Sequence, residues 1–143
     1  MGEGFDGGAV LRYIPLTSIS QDWRTPRAIY EILDAEFRFT FDPCPPNAVE
    51  DGLLIEWRSP TFVNPPFKGI ERWVEKAWRM YKSGKTVVML LPARTDTKWF
   101  HDYCLDATEI RFIKGRLKFE GAKWNAPFPS LVVVFMGSEE MPF

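Results

Sequence analysis

The chain is poor in the residues that build metal centres and disulfide frameworks. Its 143 residues include one histidine, His101, and two cysteines, Cys44 and Cys104. A single histidine argues against a zinc site or a histidine-dependent triad. The two cysteines lie far apart, without metal spacing or the density of a disulfide scaffold, so a reduced, cytoplasmic setting is expected. Long apolar runs are missing as well. Nothing approaches the roughly 20 residues of a membrane-spanning helix, and the N-terminus lacks a basic-then-apolar signal pattern. An excess of one charge is also absent. The formal net charge is −1, which argues against gripping nucleic acid by bulk electrostatics.

What is present is ordinary in bulk and unusual in detail. The composition is 45% hydrophobic and 26% charged, as in a soluble globular protein, and the length suits one domain. Aromatics reach 15%, with six tryptophans, high enough that some rings are expected to face a ligand. Basic residues cluster locally under the neutral total. Arg111, Lys114, Arg116, Lys118 and Lys123 form one group, and Lys76, Arg79, Lys82 and Lys85 a second, more simply read as solvated surface.

The most informative stretch is Thr61-Phe62-Val63-Asn64-Pro65-Pro66-Phe67. Three β-prone residues lead into Asn64, and tandem prolines can neither continue a helix nor donate to a sheet ladder, so a strand must stop here. The strand end presents an amide side chain, a carbonyl with no N–H following it, and a flat ring. Such a group suits a planar molecule bearing an amino group; a plain proline turn is the competing reading.

In chain order, the glycine-rich residues 1–20 suggest a flexible arm with a short strand near Val10–Ile14, and residues 21–143 one compact domain. Thr25 is a good N-cap and Pro26 a good first helical residue, with Ile29, Ile32, Leu33 and Phe37 at helical spacing to about Glu36. Arg38–Asp42 alternates as a short strand, ending in the turn Asp42–Asn47. A strand over Pro60–Asn64 precedes an amphipathic helix carrying Ile70, Trp73, Val74, Ala77, Trp78 and Tyr81. Thr86–Leu91 has the continuous apolar run of a strand buried on both faces. A helix over Thr97–Leu105 and strands at Glu109–Ile113 and Ser130–Met136 complete the list, with Lys114–Pro129 as a long hairpin connection. Trp73 and Trp78 are assigned to the core, as is Cys104, and His101 to the surface.

Alternating strands and helices predict an α/β three-layer sandwich, mostly parallel, ending in an antiparallel hairpin. In such sheets ligands bind beyond the C-terminal strand ends. Asp42–Asn47, Asn64–Phe67 and Pro92–Asp96 all fall at such ends, which raises the opening stretch above a mere turn.

Asn64-Pro65-Pro66-Phe67 resembles the Asn/Asp-Pro-Pro-aromatic motif of methyltransferases that modify exocyclic amino groups. Trp23-x-Thr25-Pro26, Asp51-Gly52-Leu53 with Trp57, Leu91-Pro92-Ala93-x-Thr95-Asp96-Thr97-x-Trp99-Phe100 and Gly115-Arg116-Leu117-x-Phe119 flank it in order. Together, over about residues 21–136, they resemble the phage-type DNA N6-adenine methyltransferase family.

The resemblance implies a Rossmann-like methyltransferase fold, S-adenosylmethionine (SAM) as donor, and DNA adenine, flipped from the duplex, as acceptor. A cytoplasmic site in a bacterial or phage-infected cell follows from it, without metal or membrane; the oligomeric state stays open. Asn64 and the Pro65 carbonyl would accept the amino hydrogens of the base, and Phe67, where tyrosine is commoner, would stack on it, with Pro66 completing the catalytic motif. Asp42-Pro43-Cys44 match the strand end whose acid helps hold SAM, and Asp51 or Glu50 would serve the ribose. Trp23, Thr25 and Pro26 match the segment lining SAM. Thr95, Asp96 and Trp99 would border the base, although capping by Thr95 or Asp96 and packing by Trp99 explain them nearly as well. Arg116, Lys118 and Lys123 would contact DNA.

The sequence departs from the pattern in the cofactor half. Pro45-Pro46-Asn47 replaces the glycine-rich loop, and the following helix and strand are compressed. Three readings therefore stand: a minimal DNA adenine methyltransferase taking its specificity from loops such as Lys114–Pro129; methylation of cytosine N4 or a protein glutamine; and a degenerate methyltransferase fold that only binds nucleic acid or protein.

Overall fold

A computed structural model describes residues 24–45 and 51–140. The N-terminal arm, the strand expected near Val10–Ile14, Trp23, Pro46, Asn47 and Glu50 lie outside these residues. The first described helix, α1, spans Arg27–Phe37, one residue later than its sequence signals suggest. Pro26 is the N-cap and makes no side-chain cap bond. Arg38 closes α1 in the left-handed conformation (φ 56°), its N–H bonded to the Asp34 carbonyl, while the Asp34 carboxylate accepts the Phe39 N–H at 3.0 Å.

Strand β1 (Thr61–Val63) leads to α2 (Ile70–Lys82) and β2 (Val87–Pro92). Helix α3 (Lys98–Tyr103) runs into a 3-10 turn at Cys104–Asp106, followed by β3 (Glu109–Phe112) and β4 (Ser130–Phe135). Thr97 caps α3, accepting the Phe100 N–H, so the cap is neither Thr95 nor Asp96. The expected strand over Arg38–Asp42 contracts to a single parallel bridge between Phe41 and Thr61.

The sheet order is β1-β2-β4-β3. β1 and β2 are parallel, while β4 pairs antiparallel with both β2 and β3. Three of these four strands share one direction, but the sheet is not the mostly parallel one expected. Because β4 inserts between two of them, two of the three ladders are antiparallel and the sheet is mixed. The expected C-terminal hairpin is present as β3–β4.

Burial on both faces creates the layers. Val63, Val87, Met89, Leu91, Leu131, Val133 and Phe135 face a core with Ile70, Trp73, Val74 and Ala77 of α2 and Trp99 and Phe100 of α3. The alternate residues Phe62, Val88, Leu90, Val132 and Val134 face Leu33 and Phe37 of α1. Phe119, Ala126 and Phe128 complete that second core. The 114–129 connection is therefore more than a hairpin loop: it helps α1 cover the sheet.

The Asp51-Gly52-Leu53…Trp57 pattern is a turn that holds itself together. The fully buried Trp57 donates its indole N–H to the Gly52 carbonyl at 2.8 Å and stacks on Trp73. Gly52 has no room for a side chain, since a Cβ would lie 2.1 Å from the Pro43 carbonyl oxygen. Lys76 donates to the Leu53 carbonyl at 2.9 Å and to that of Ile55, and Lys85 to that of Trp57 at 2.6 Å. Half of the second basic cluster is thus a clamp on this turn rather than solvated surface.

Candidate active site

Three loops leave the sheet at the same end of the strands. Thr61 pairs with Val87 and Val63 with Met89 in parallel register, and Phe41 bridges Thr61 in the same sense. Asp42, Asn64 and Ala93 therefore emerge together, as the strand-end reading of the sequence anticipates. Among the described residues no helix is long and apolar enough to cross a membrane, and no cluster of metal-ligating side chains occurs.

Asn64 follows a wholly buried strand. Its side-chain nitrogen donates to the Thr25 hydroxyl oxygen at 3.2 Å. Pro65 is buried and Pro66 and Phe67 half-buried, which keeps the strand end rigid. Gly69, with φ 74°, turns the chain into α2, a left-handed conformation that favours glycine.

The Phe67 ring meets Phe128 at 5.2 Å and 83°, and the Arg94 guanidinium lies 6.0 Å from the Phe128 ring centre. Neither Phe128 nor Arg94 is among the site residues expected from sequence. A signal existed: Phe128 lies between Pro127 and Pro129 directly before an apolar strand, a composition close to that of Asn64–Phe67. The Pro129 carbonyl accepts the Ala93 N–H at 2.9 Å, tying the two loops together.

At the neighbouring strand end, the Asp42 carboxylate accepts the Cys44 N–H at 2.8 Å. Burial pushes this carboxyl above the usual range, and the Cys44 hydrogen bond opposes that only in part. Among the described residues Asp42 has no ion pair. A desolvated carboxylate without a counter-charge fits a ligand carrying a cation, such as the ammonium group of SAM. Gly52 packs on Pro43, bringing Asp51 beside this turn. The exposed Asp51 carboxylate accepts the N–H of its own Leu53 at 3.0 Å.

Thr95 and Asp96 are exposed on the loop after β2, with the Thr95 carbonyl 2.7 Å from the His101 ring. Trp99 is buried in the α2–α3 core, where packing accounts for it. Lys114, Arg116, Lys118 and Lys123 are exposed, with Lys123 over the ring of the exposed Trp124. Arg111 stands apart from them, forked onto Glu36 at 2.7 Å through two nitrogens and bonded to Glu109.

These features define an α/β protein whose strand-end loops converge on Asn64-Pro65-Pro66-Phe67. The chain belongs to the DNA N-6-adenine-methyltransferase (Dam) family, whose model it matches over residues 16–134. No curated protein and no solved structure matches it.

Proposed function

We propose that this protein methylates the exocyclic N6 amino group of adenine in DNA, using SAM, on a Rossmann-like methyltransferase fold formed by residues 21–143. The observation that carries this reading is the Asn64 amide at the buried end of β1, its nitrogen held by Thr25. An adenine amino nitrogen is a poor nucleophile because its lone pair is delocalised into the ring. Asn64 Oδ1 and the Pro65 carbonyl accept hydrogen bonds from its two N–H groups, drawing the nitrogen toward tetrahedral geometry and directing its lone pair. The new N–C bond forms as the methyl's bond to sulfur breaks, and the surplus N–H proton is then lost to solvent. No strong base is required before attack; positioning and electrostatics suffice. Phe67, with its ring set against Phe128, stacks on the flipped base.

Bound SAM supplies an electrophilic methyl group on a sulfonium centre. Asp42 would hold its ammonium group, with the Cys44 N–H fixing the carboxylate, and Asp51, on the adjoining turn, would serve the ribose. Exposed Arg116, Lys118 and Lys123 meet phosphates, and Thr95 and Asp96 flank the entry of the base.

The test is the modified nucleoside. DNA incubated with protein and SAM is digested and read by mass spectrometry, and N6-methyladenine is the expected product. N4-methylcytosine alone, or label transferred only to protein, would overturn the assignment. Absence of SAM binding by calorimetry at millimolar concentration would favour a module that only binds.

A further inference from the structure

Thr25 has the sequence of a helix cap but not its role: α1 starts at Arg27, and its N-terminus has no capping bond from its own first residues. The hydroxyl instead accepts the Asn64 amide N–H at 3.2 Å, across 39 positions of sequence. A hydroxyl both donates and accepts, so it can hold either end of an amide. What Thr25 fixes is the position and plane of the Asn64 amide, which would otherwise swing about its side-chain bonds.

The segment bearing Thr25 is itself anchored. Arg24 pairs with Glu120 through two backbone hydrogen bonds, 3.3 Å from the Arg24 N–H and 2.9 Å to the Arg24 carbonyl. The Glu120 carboxylate accepts the Arg27 N–H at 3.3 Å. Residues on both sides of Thr25 are thus fixed to the connection between β3 and β4.

We propose that Thr25 is a positioning residue, which holds the Asn64 amide in place at the end of the strand, and that Glu120 holds Thr25 in register. This rests on the methyl-transfer reading for its consequence in activity, but the contact itself can be read without turnover.

The experiment compares Thr25→Val, which keeps the shape and removes the hydroxyl, with Thr25→Ser, which keeps the hydroxyl. Thr25→Val is expected to lower kcat by about ten- to a hundredfold, the scale of a mispositioned reacting group. KM for DNA and the SAM dissociation constant should stay within about twofold of wild type, and Thr25→Ser should recover most of the rate. In parallel, the Asn64 side-chain NH2 resonances of the ligand-free protein are followed by NMR. They should shift in Thr25→Val and stay near wild type in Thr25→Ser. Unchanged kcat and unchanged resonances in Thr25→Val overturn the proposal, as does a loss confined to SAM affinity, which would make Thr25 a cofactor contact. If wild-type protein yields no N6-methyladenine, the functional reading fails, while the NMR comparison still decides the contact.

Discussion

Glu120 sits on the N-terminus of α1, its carboxylate accepting the Arg27 N–H from 93 positions away in sequence. The cap of the first helix thus comes from the far end of the chain, and an acidic group is the right one for the positive end of a helix dipole. Replacing Glu120 with alanine should cost about 1 kcal/mol, lowering the melting temperature by about 3 °C in a domain of this size. Amide exchange should speed first at Arg27 and its neighbours. A variant that melts with wild type and keeps Arg27 protected would show that the contact has no energetic weight.

Asn64→Ala removes the acceptor and keeps the backbone of the motif. Methyl transfer should fall at least about a hundredfold, as when a polar group acting on the transition state is lost. SAM-induced thermal stabilisation should remain. Undiminished turnover would remove Asn64 from the reaction.

Asp42 links cofactor binding to pH. Its carboxyl is raised by burial, so ionisation costs the ligand-free fold stability that is present below the ordinary carboxylate range and lost as pH rises through the raised value. Asp42→Asn should therefore melt higher than wild type at neutral pH without ligand, and bind SAM more weakly. Wild-type affinity should fall as the medium is acidified and Asp42 takes up a proton, while the variant stays flat there. Thermal shifts with and without SAM over about pH 4 to 7 measure both.

Cys104 is fully buried, and burial pushes its thiol up to about 12 from 9.0. The neutral thiol suits the core, so this contribution is complete below the unfolded value and is lost as pH rises from about 9 toward 12. Stability should decline over that window, and less steeply in Cys104→Ala. Alkylation of the native protein at mildly alkaline pH should modify the half-buried Cys44 and spare Cys104. Rapid labelling of Cys104 without unfolding would contradict its place in the core.

Lys118, Lys123 and Trp124 form an exposed edge on the connection between β3 and β4, with Trp124 70% exposed. Because they carry little of the fold, Trp124→Ala should change stability by no more than about 0.5 kcal/mol. It should weaken DNA binding if the ring stacks on bases, by roughly 1–3 kcal/mol. Lys118→Ala and Lys123→Ala should each reduce the salt dependence of binding by about one phosphate contact. Titrations at several salt concentrations check this, with the fluorescence change of wild type compared with that of Trp124→Ala.

Most elements were legible in the sequence because their signals are local. Apolar runs marked β2 and β4, the i, i+3, i+4 spacing marked α2, and the tandem prolines marked the end of β1. The convergence of Asp42, Asn64 and Ala93 followed from the general rule for strand ends. What was not legible depends on distant partners. Thr25 has the composition of a cap, and only folding brings Asn64 to its hydroxyl and Glu120 to the helix it would have capped. The alternation at Arg38–Asp42 suggested a strand, but this segment lies at the outer side of β1 and forms one bridge. Lys76 and Lys85 read as surface charge because nothing local in the sequence shows that the carbonyls of residues 53–57 turn toward them. Trp99 was divided between pocket and core because a helix of six residues is too short for periodicity to decide.

The place of β4 has a consequence for how the protein is made. Among the described residues β3 has no partner but β4, and β4 is the last strand of the sheet to leave the ribosome. Until Ser130–Phe135 arrives, β1 and β2 are a parallel pair with the β2 edge uncovered, and β3 lacks its ladder. Pairing across such sequence distances is slow because loop closure precedes the stabilising contacts. The nascent sheet must therefore wait for its central strand, and a chain shortened before Ser130 loses both antiparallel ladders at once.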